Sequence, residues 1–594
     1  MTGASPAAGT SRATLRARAL DRLRFGSVDL QKLAPTREER LLLLLSILIG
    51  IISGLLVVAF RVAIEWIKVL LLGSAPHPGQ LRLLYMPAGM GLIVAALVIF
   101  IFPGARGSGV NQTKAALYVY NGYISFKTVI GKFLTAALAL GSGQSLGPED
   151  PSLQIGAGVA SVIARRLKMS RQRLRLFAPI GAAAGLAAAF NAPISAMLFV
   201  IEEVIGSWSA AVLGSIVLAA ISSVVVARLF WGTEPMFRVP AVELRDPREL
   251  LAYAVMGVIG GFVAVIFSST LGYLRPRLRN LPRWTLFCQP ALAGLLVGAI
   301  GYFGFPQVMG VGYGVIDQAM HAQFTWQILL ALAIFKLIAT TVSFSSGTPG
   351  GMFAPTLFIG AMLGGAVGAF EKLFFPHLTG SIGAYALVGM GVLFAGFLRV
   401  PLTSVFMVLE VSGNYSIILP VILANTIAYL ISRSLQPVPI FEVLTLQDGL
   451  HLPSMEEQRE EVHLHIEDAL RPVDIPILEG ADPLAKASRA FADSGAAALL
   501  VKMWDNSWYA LTREELSGIE ALQNPESRLE TAVRNDRIPD LYPDLTLDSA
   551  LPCFARWKIL PIQNRATLGT LEGILTEPDV LDRYHQDWTG RSIK

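Results

Sequence analysis

The chain has 594 residues, of which 53% are hydrophobic and only 15% are charged. Soluble proteins carry about 25% charged residues, so this composition excludes an ordinary soluble protein and favours one that lies in a lipid bilayer. The net charge of +5 does not indicate nucleic-acid binding, because basic residues cluster beside hydrophobic segments, in the first 40 residues and at 165–175.

The first 40 residues contain eight Arg or Lys and four acidic residues, without the hydrophobic stretch of a secretory signal. The positive-inside rule therefore places the N-terminus in the cytoplasm. Several segments that follow are long enough, or nearly so, to cross about 30 Å of hydrocarbon. They include 41–60, 84–102, 211–226, 251–267, 328–344 and 417–431. Lys336 provides the one charge within these six segments, so we predict a polytopic all-α membrane protein.

An internal repeat divides the membrane region into halves at about 40–230 and 250–435. Residues 132–157 match residues 336–361 at nine of 26 positions, with lysine, glycine and proline in register. A second pair, 193–202 and 401–410, follows at an offset of 208 residues. Repeated halves with Gly/Pro-interrupted segments are typical of transporters whose binding site lies where broken helices meet.

The interrupted segments have the sequence of loops that lead into helices. In both copies a Ser/Gly-rich stretch precedes Gly-x-x-x-Pro, at 147–151 and 351–355. A helix that begins within the membrane presents unpaired N–H groups and a positive dipole end, which suit an anion. A third break, Gly107-Ser108-Gly109, adds a hydroxyl donor, although by itself it is compatible with a simple turn.

Glu149 is an ionisable residue at one of these predicted helix starts. It follows a stretch free of charge from 133 to 148. An intramembrane carboxylate is usually functional. An ionised Glu149 would compete with an anion for the same donors and would withdraw on protonation, which couples proton uptake to anion passage. The alternative is a helix-capping acid at the surface.

The repeat separates two neighbouring acids at the end of the hydrophobic segment 182–204. Glu202 aligns with Glu410, which indicates a structural, hydrogen-bonded buried acid. Glu203 aligns with Val411, so the repeat offers no structural explanation for it. Glu203 is therefore the better candidate for handling protons, with a solvated helix-end acid as the alternative.

Three motifs carry a resemblance to a known family. Residues 107–110 (GSGV), 147–156 (GPEDPSLQIG) and 351–355 (GMFAP) resemble the anion-filter motifs of the CLC family of chloride channels and proton/chloride antiporters, in the same order and spacing. The similarity extends over about 40–450. The resemblance implies an inverted internal repeat with broken helices, and a homodimer in which each subunit has its own pore.

The resemblance also implies roles for individual residues. Ser108 and the backbone amides of Met352 and Phe353, the two residues after Gly351, would hold the central chloride. Glu149 falls on the external gating glutamate. Glu203 falls on the internal proton glutamate of many antiporters, which favours antiport over a passive channel. Ser108, where some members have proline, favours chloride over nitrate by analogy.

The sequence departs from the family pattern at several positions. Pro148 replaces a usual Arg or Lys and Asp150 a usual Gly, which makes the field at the gate less positive. Asn111 and Gln112 replace a usual Pro-Glu. Phe441 stands where a tyrosine usually gives a hydroxyl to the central anion. Because a hydrogen bond to a charged partner is worth about 1.5 to 3 kcal/mol, we expect weaker chloride binding and looser proton coupling.

The composition changes after about residue 442, where charges become frequent. We predict a basic tail at 1–39, a transmembrane domain at 40–445, a linker at 446–465 and a small cytoplasmic α/β domain at 466–594. Its predicted strands cover 474–478, 497–502, 509–511, 559–562 and 573–575, and 483–493 is predicted to be helical.

This soluble domain resembles a pair of CBS modules. Residues 573–579 (GILTEPD) look like the motif in which threonine and aspartate, here Thr576 and Asp579, contact an adenine nucleotide. The first module offers Thr512 but has Glu515 in place of the aspartate. No cofactor is required, and a purely structural tail that stabilises the dimer is the alternative.

Other classes of function find less support. Cys288 and Cys553 have no metal-ligand spacing, and His463 and His465 have no further ligand nearby. No nucleophile and base set indicates an enzyme. The leading prediction is a proton/chloride antiporter in a bacterial inner membrane, with both termini cytoplasmic. A passive chloride channel, a membrane-anchored nucleotide sensor and a cation transporter are the alternatives.

Overall fold

The computed structural model describes residues 37–169, 171–206, 210–237, 239, 247–375, 380–450, 452, 464–520, 524–533, 538–565 and 570–591. Most of the predicted basic tail at 1–39, and much of the predicted linker at 446–465, including His463, lie outside these residues. The chain divides into two compact units, Met1–Gln458 and Arg459–Lys594.

The first unit is helical throughout its described part. In its first half the helices are α1 (Arg37–Leu72), α2 (Leu81–Ala96), α3 (Gly109–Tyr118), α4 (Phe126–Gly141), α5 (Glu149–Arg166), α6 (Arg171–Phe190), α7 (Pro193–Phe199) and α8 (Ala210–Trp231). In its second half they are α9 (Glu249–Arg279), α10 (Thr285–Tyr302), α11 (Tyr313–Met320), α12 (Trp326–Ser345), α13 (Phe353–Phe374), α14 (Ile382–Leu398), α15 (Pro401–Ser412), α16 (Ile418–Leu435) and α17 (Ile440–Gln447).

Eight helical segments among the described residues are long and hydrophobic enough to cross a membrane. They are Arg40–Leu72, Leu81–Ile101, Val212–Trp231, Glu249–Arg279, Thr285–Tyr302, Trp326–Ser345, Phe353–Phe374 and Ile418–Gln447. The six predicted segments overlap six of these helices, so the membrane-spanning prediction is confirmed. Helices α10 and α13 add two spans.

Each half contains a matching glycine contact between two of its own helices. Helices α5 and α6 cross where a Cβ atom at Gly156 would lie 2.1 Å from the carbonyl oxygen of Gly181. Helices α13 and α14 cross where a Cβ atom at Gly360 would lie 2.3 Å from the carbonyl oxygen of Gly389. Small residues allow membrane helices to approach this closely, so the repeated glycines fix the same crossing in each half.

A glycine pair in α13 tests this packing. A Cβ atom at Gly364 would lie 2.0 Å from the backbone oxygen of Tyr385, whereas at Gly365 the nearest atom is the flexible Cδ1 of Leu329, at 3.3 Å. We expect Gly364→Ala to destabilise the protein by the upper end of about 1 to 3 kcal/mol, and Gly365→Ala by much less. Thermal unfolding of the purified protein in detergent compares them, and equal melting temperatures would contradict the crossing.

The hydrophobic segment 182–204 is divided among three helical elements. Helix α6 ends at Phe190, and Asn191 has a φ of 56°. Helix α7 then begins at Pro193, which tolerates the first position of a helix because its missing N–H is not needed there. A π-helical stretch, Val200–Ile205, follows and contains both Glu202 and Glu203.

Glu202 and Glu410 form hydrogen bonds between the two halves. The Glu202 carboxylate accepts hydrogen bonds from the N–H (2.8 Å) and hydroxyl (2.5 Å) of Thr403 at the start of α15. In the same way Glu410 accepts from the N–H (2.7 Å) and hydroxyl (2.5 Å) of Ser195 at the start of α7. The prediction that Glu202 is structural is confirmed, because each acid caps a helix start in the opposite half.

The repeated lysines also have a structural explanation. The Lys132 ammonium donates to the carbonyl oxygens of Ala105 (3.2 Å) and Gly107 (2.5 Å). Lys336 donates to those of Val308 (2.9 Å) and Gly310 (2.6 Å). Both lysines are fully buried. Each one therefore holds the loop that precedes a short helix, α3 in the first half and α11 in the second.

The second unit is a small α/β structure. Its elements are β1 (Ile477–Glu479), α18 (Leu484–Ser494), β2 (Ala498–Lys502), β3 (Trp508–Thr512), α19 (Arg513–Glu520), α20 (Leu529–Ala532), β4 (Ile559–Gln563), β5 (Leu571–Thr576) and α21 (Glu577–Arg591). Strand β2 pairs in parallel with β1 and antiparallel with β3, and β4 pairs antiparallel with β5. The α/β class is confirmed, although the first strand begins at residue 477 and not at 474.

Candidate anion site

Three helices begin close together in the interior of the first unit. They are α3 at Gly109, α5 at Glu149 and α13 at Phe353. Gly147 and Gly351 exchange two backbone hydrogen bonds of 2.8 Å, which join the loops before α5 and α13. The predicted helix starts are confirmed, and the Gly107–Gly109 break is more than a turn because Ser108 caps α3.

The Glu149 side chain accepts hydrogen bonds from two donors in the other half of the repeat. Glu149 is fully buried, its Oε1 accepts from the Tyr313 hydroxyl, and its Oε2 accepts from the Ala354 N–H at 3.4 Å. A Cβ atom at Gly147 would lie 2.3 Å from Oε2, so glycine leaves room for the carboxylate. Burial excludes the reading of Glu149 as a surface cap. Its carboxylate holds groups that suit an anion.

Tyr313 was missed in the sequence analysis, although a signal exists. Residues 306–313 (PQVMGVGY) align with 103–110 (PGARGSGV) at an offset of 203. In both copies the proline opens a short 3-10 turn, and a helix begins at the second glycine or at the next residue. This alignment places Tyr313 opposite Val110, and it extends the repeat to the first anion motif.

The Tyr313 hydroxyl is expected to favour the carboxylate over an external anion. Tyr313→Phe removes a hydrogen bond to a charged group, worth about 1.5 to 3 kcal/mol, so chloride should compete with Glu149 about tenfold better or more. Titration calorimetry with chloride measures this change. Tyr415→Phe, at an exposed tyrosine, is the matched control. Unchanged chloride affinity in Tyr313→Phe would contradict the assignment.

Ser108 contacts a protein carboxylate. Its hydroxyl donates to Asp150 at 3.1 Å (Oδ2) and accepts from the Asn111 N–H at 3.4 Å. The Val110 N–H also donates to Asp150 Oδ1, at 2.7 Å. Of the donors that the family resemblance assigned to a central chloride, the Ser108 hydroxyl therefore binds Asp150 in this structure, and an anion-binding role for Ser108 stays a prediction.

An aromatic cluster lies beside the start of α13. The Phe353 ring centroid is 4.8 Å from that of Phe199 and 6.3 Å from that of Phe441. Phe441 contributes a buried ring with no hydroxyl, and its carbonyl oxygen accepts from the Asn111 amide at 3.1 Å. At Met352 and Phe353 the first turn of the helix offers backbone N–H groups. This side of the site is apolar apart from the backbone and the Asn111 side-chain amide.

Glu203 forms a buried ion pair. Its carboxylate lies 2.8 Å from the Lys114 ammonium on α3, and the two side chains are 11% and 6% exposed. Sequence reasoning did not identify Lys114, which lies 89 residues away along the chain. The pair excludes the reading of Glu203 as a solvated helix-end acid. Helix α3 therefore contacts Asp150 at its start and, through Lys114, Glu203 about one turn later.

A cavity of about 750 Å³ reaches Pro148 and Tyr313, which are next to Glu149 in the chain and in space. Its charged and polar lining includes Arg61, Glu65, Lys68, Gln307, Tyr313 and Gln318, and it reaches Pro148. Glu65 pairs with Lys68 at 3.0 Å, while the charge of Arg61 interacts with Glu149. Because cationic clefts raise the local concentration of anions, this cavity is a suitable vestibule.

The nucleotide-motif residues of the second unit contact one another. The Thr576 hydroxyl donates to Asp579, which also lies 3.3 Å from Arg471. The Thr512 hydroxyl donates to Glu515 at 2.7 Å. Both threonines end a strand and face an acid of the following helix, so the two strand ends share one arrangement. Among the described residues, no group of three or more His, Cys, Asp or Glu could hold a metal ion.

Residues 90–433 match the family described as voltage gated chloride channel. The H(+)/Cl(-) exchange transporters ClcA of Salmonella arizonae and Citrobacter koseri are each 30% identical over 454 residues, which cover 73% of this chain and 94% of the relative.

Solved structures have the same fold. A slow cyanobacterial Cl-/H+ antiporter matches with a TM-score of 0.63 and 24% identity, over 71% of this chain and 98% of its own. A eukaryotic CLC transporter matches with a TM-score of 0.59 and 20% identity, over 91% and 97%. A CLC-type fluoride/proton antiporter matches with a TM-score of 0.59 and 22% identity, over 69% and 99%. The family match spans more than half of the sequence, and the chain belongs to the CLC family of voltage-gated chloride channel proteins.

Proposed function

We propose that this protein exchanges chloride for protons across a membrane. The observation that carries the proposal is the position of Glu149, whose carboxylate accepts hydrogen bonds from the Tyr313 hydroxyl and the Ala354 N–H. Chloride and an ionised Glu149 compete for these donors, and protonation weakens the hold of the carboxylate. Anion passage and proton uptake then depend on one side chain. The exchange activity named for the ClcA relatives supports this function.

Glu203 is proposed to pass protons at a second position, away from Glu149. Its ion pair with Lys114 keeps an ionisable carboxylate in a buried position that would otherwise be unfavourable. The pair is also close to the aromatic cluster, because Glu203 follows Phe199 by four residues in the same segment. Lys114 is therefore a positioning residue for Glu203.

The test is chloride efflux from liposomes that contain the purified protein, with external pH recorded in parallel. Glu203→Gln is the informative variant, because Gln keeps an oxygen acceptor for Lys114. Wild type should take up protons as chloride leaves, and Glu203→Gln should retain chloride flux without proton movement. Glu526→Gln, at an exposed acid of the second unit, should behave as wild type. Absence of anion flux in wild type would overturn the proposal.

A passive chloride channel is the second candidate. The hydroxyl-free ring of Phe441 favours it, since a weakly held anion is less tightly coupled to proton movement. The same liposome experiment separates the candidates. Chloride flux without proton movement in wild type would assign a channel, and replacing chloride by fluoride outside would measure anion preference.

We also propose the assignments that concern the whole assembly. The membrane domain would cover 40–445 and a CBS pair 466–594, in a homodimer with both termini cytoplasmic in a bacterial inner membrane. The matching Thr-acid contacts at Thr512 and Thr576 support the paired modules. Binding of AMP or ATP, measured by titration calorimetry with wild type and Thr576→Ala, tests the nucleotide site. Equal binding by both would place any nucleotide elsewhere.

A further inference from the structure

Two adjacent carboxylates at the start of α5 reach two different helices. Glu149 extends to the start of α13 in the second half. Asp150 extends to the start of α3 in the first half, where it accepts from Val110 N–H at 2.7 Å and from the Ser108 hydroxyl at 3.1 Å. Asp150 is fully buried. Each half of the protein thus offers its anion-binding groups to one of the two acids.

The repeat gives Asp150 no structural counterpart. Asp150 aligns with Ala354, which brings only a backbone N–H to the site. The charge of Lys132 interacts with Asp150. Lys336 makes the equivalent two carbonyl contacts, although Ala354 stands at the position that corresponds to Asp150 and the charge that interacts with Lys336 is that of Glu149. The carbonyl contacts of such a lysine therefore form without an acid at the position of Asp150.

Two glycines make room for the residue at position 150. A Cβ atom at Gly351 would lie 2.4 Å from the Asp150 Cβ atom, and a Cβ atom at Gly109 would lie 2.4 Å from the Asp150 backbone oxygen and 2.9 Å from its Oδ1. Glycine at both positions leaves the space that the Asp150 backbone and side chain occupy. The Asp150 carboxylate accepts hydrogen bonds from a helix-start N–H and a hydroxyl, and the same donors also suit a halide ion.

We propose that Asp150 is a second internal competitor of the transported anion. This role of Asp150 rests on the proposed anion transport, and it adds Asp150 to the residues that control transport. Chloride can reach the Ser108 hydroxyl and the Val110 N–H only after the Asp150 carboxylate has moved away from them. The protein therefore binds chloride weakly at this point, and Asp150 determines that affinity together with Glu149.

The test compares chloride binding by the full-length protein in detergent, measured by titration calorimetry, with chloride flux in liposomes. Asp150→Gly removes the competing side chain, and Asp150→Asn removes its charge at nearly constant size. Both should bind chloride about tenfold more tightly than wild type, or better. Asp317→Asn controls for loss of a negative charge near the vestibule, and its affinity should equal that of wild type.

A purely structural role predicts a different result. Asp150→Gly would then lower the melting temperature, and neither variant would bind chloride more tightly. If Asp150→Gly does not fold, Asp150→Asn decides by the same measurement. If wild type transports chloride but the variants bind chloride no more tightly than wild type, the role of Asp150 alone is overturned. Absence of chloride flux in wild type and in both variants overturns the proposed function itself.

Discussion

Glu149→Gln is expected to abolish proton movement while chloride flux continues. Glutamine fills the same space but carries no charge and does not titrate, so it competes poorly for the Tyr313 hydroxyl and the Ala354 N–H. Chloride can then bind those donors at any pH. The exchange activity becomes a passive chloride conductance, and its rate loses the pH dependence that an acid at this position imposes.

Chloride flux and external pH in liposomes, recorded from pH 5 to pH 8 or so, measure both parts of this result. Glu65→Gln is the matched control, because Glu65 lines the same cavity but is exposed and pairs with Lys68. It should keep proton coupling. Retained proton movement in Glu149→Gln would show that another group carries the proton. Loss of chloride flux would show that the carboxylate itself is needed for anion passage.

Lys114→Met is expected to destabilise the protein by about 3 to 5 kcal/mol, the range for a buried ion pair that loses one partner. The Glu203 carboxylate would keep its buried position without the ammonium that lies 2.8 Å away. The double variant Lys114→Met/Glu203→Met should recover most of the loss, because it buries no charge. Its proton coupling should still be absent.

Free energies of unfolding from denaturation in mixed micelles test this expectation. Lys68→Met is the control, since Lys68 forms an ion pair of nearly equal length, 3.0 Å, with exposed side chains. That pair should contribute less than about 1 kcal/mol. Equal losses for Lys68→Met and Lys114→Met would mean that burial does not govern the Lys114 pair, and an unrecovered double variant would mean that Lys114 acts through other contacts.

The glutamate caps show how far the repeat alone could lead. Alignment of Glu202 with Glu410 indicated a shared structural task, and both acids cap a helix of the opposite half. The Pro-x-x-x-Gly-x-Gly pattern, which aligns at an offset of 203 residues, would also have indicated Tyr313, the residue that directly follows its second copy. The contact between Tyr313 and Glu149 could not be found in this way, because a repeat relates equivalent positions and does not show which different positions contact each other.

The sequence by itself determined the membrane class, the two halves, the three helix starts and the small α/β unit. These depend on hydrophobic length, on glycine and proline, and on strand patterns, all of which act over a few residues. Only the tertiary structure decided which side chains meet. Ser108 and Asp150 are 42 residues apart, Lys114 and Glu203 are 89 apart, and Tyr313 and Glu149 are 164 apart. Such contacts follow from helix crossings that bury several charged groups together, and local sequence preferences do not specify which of these groups become neighbours.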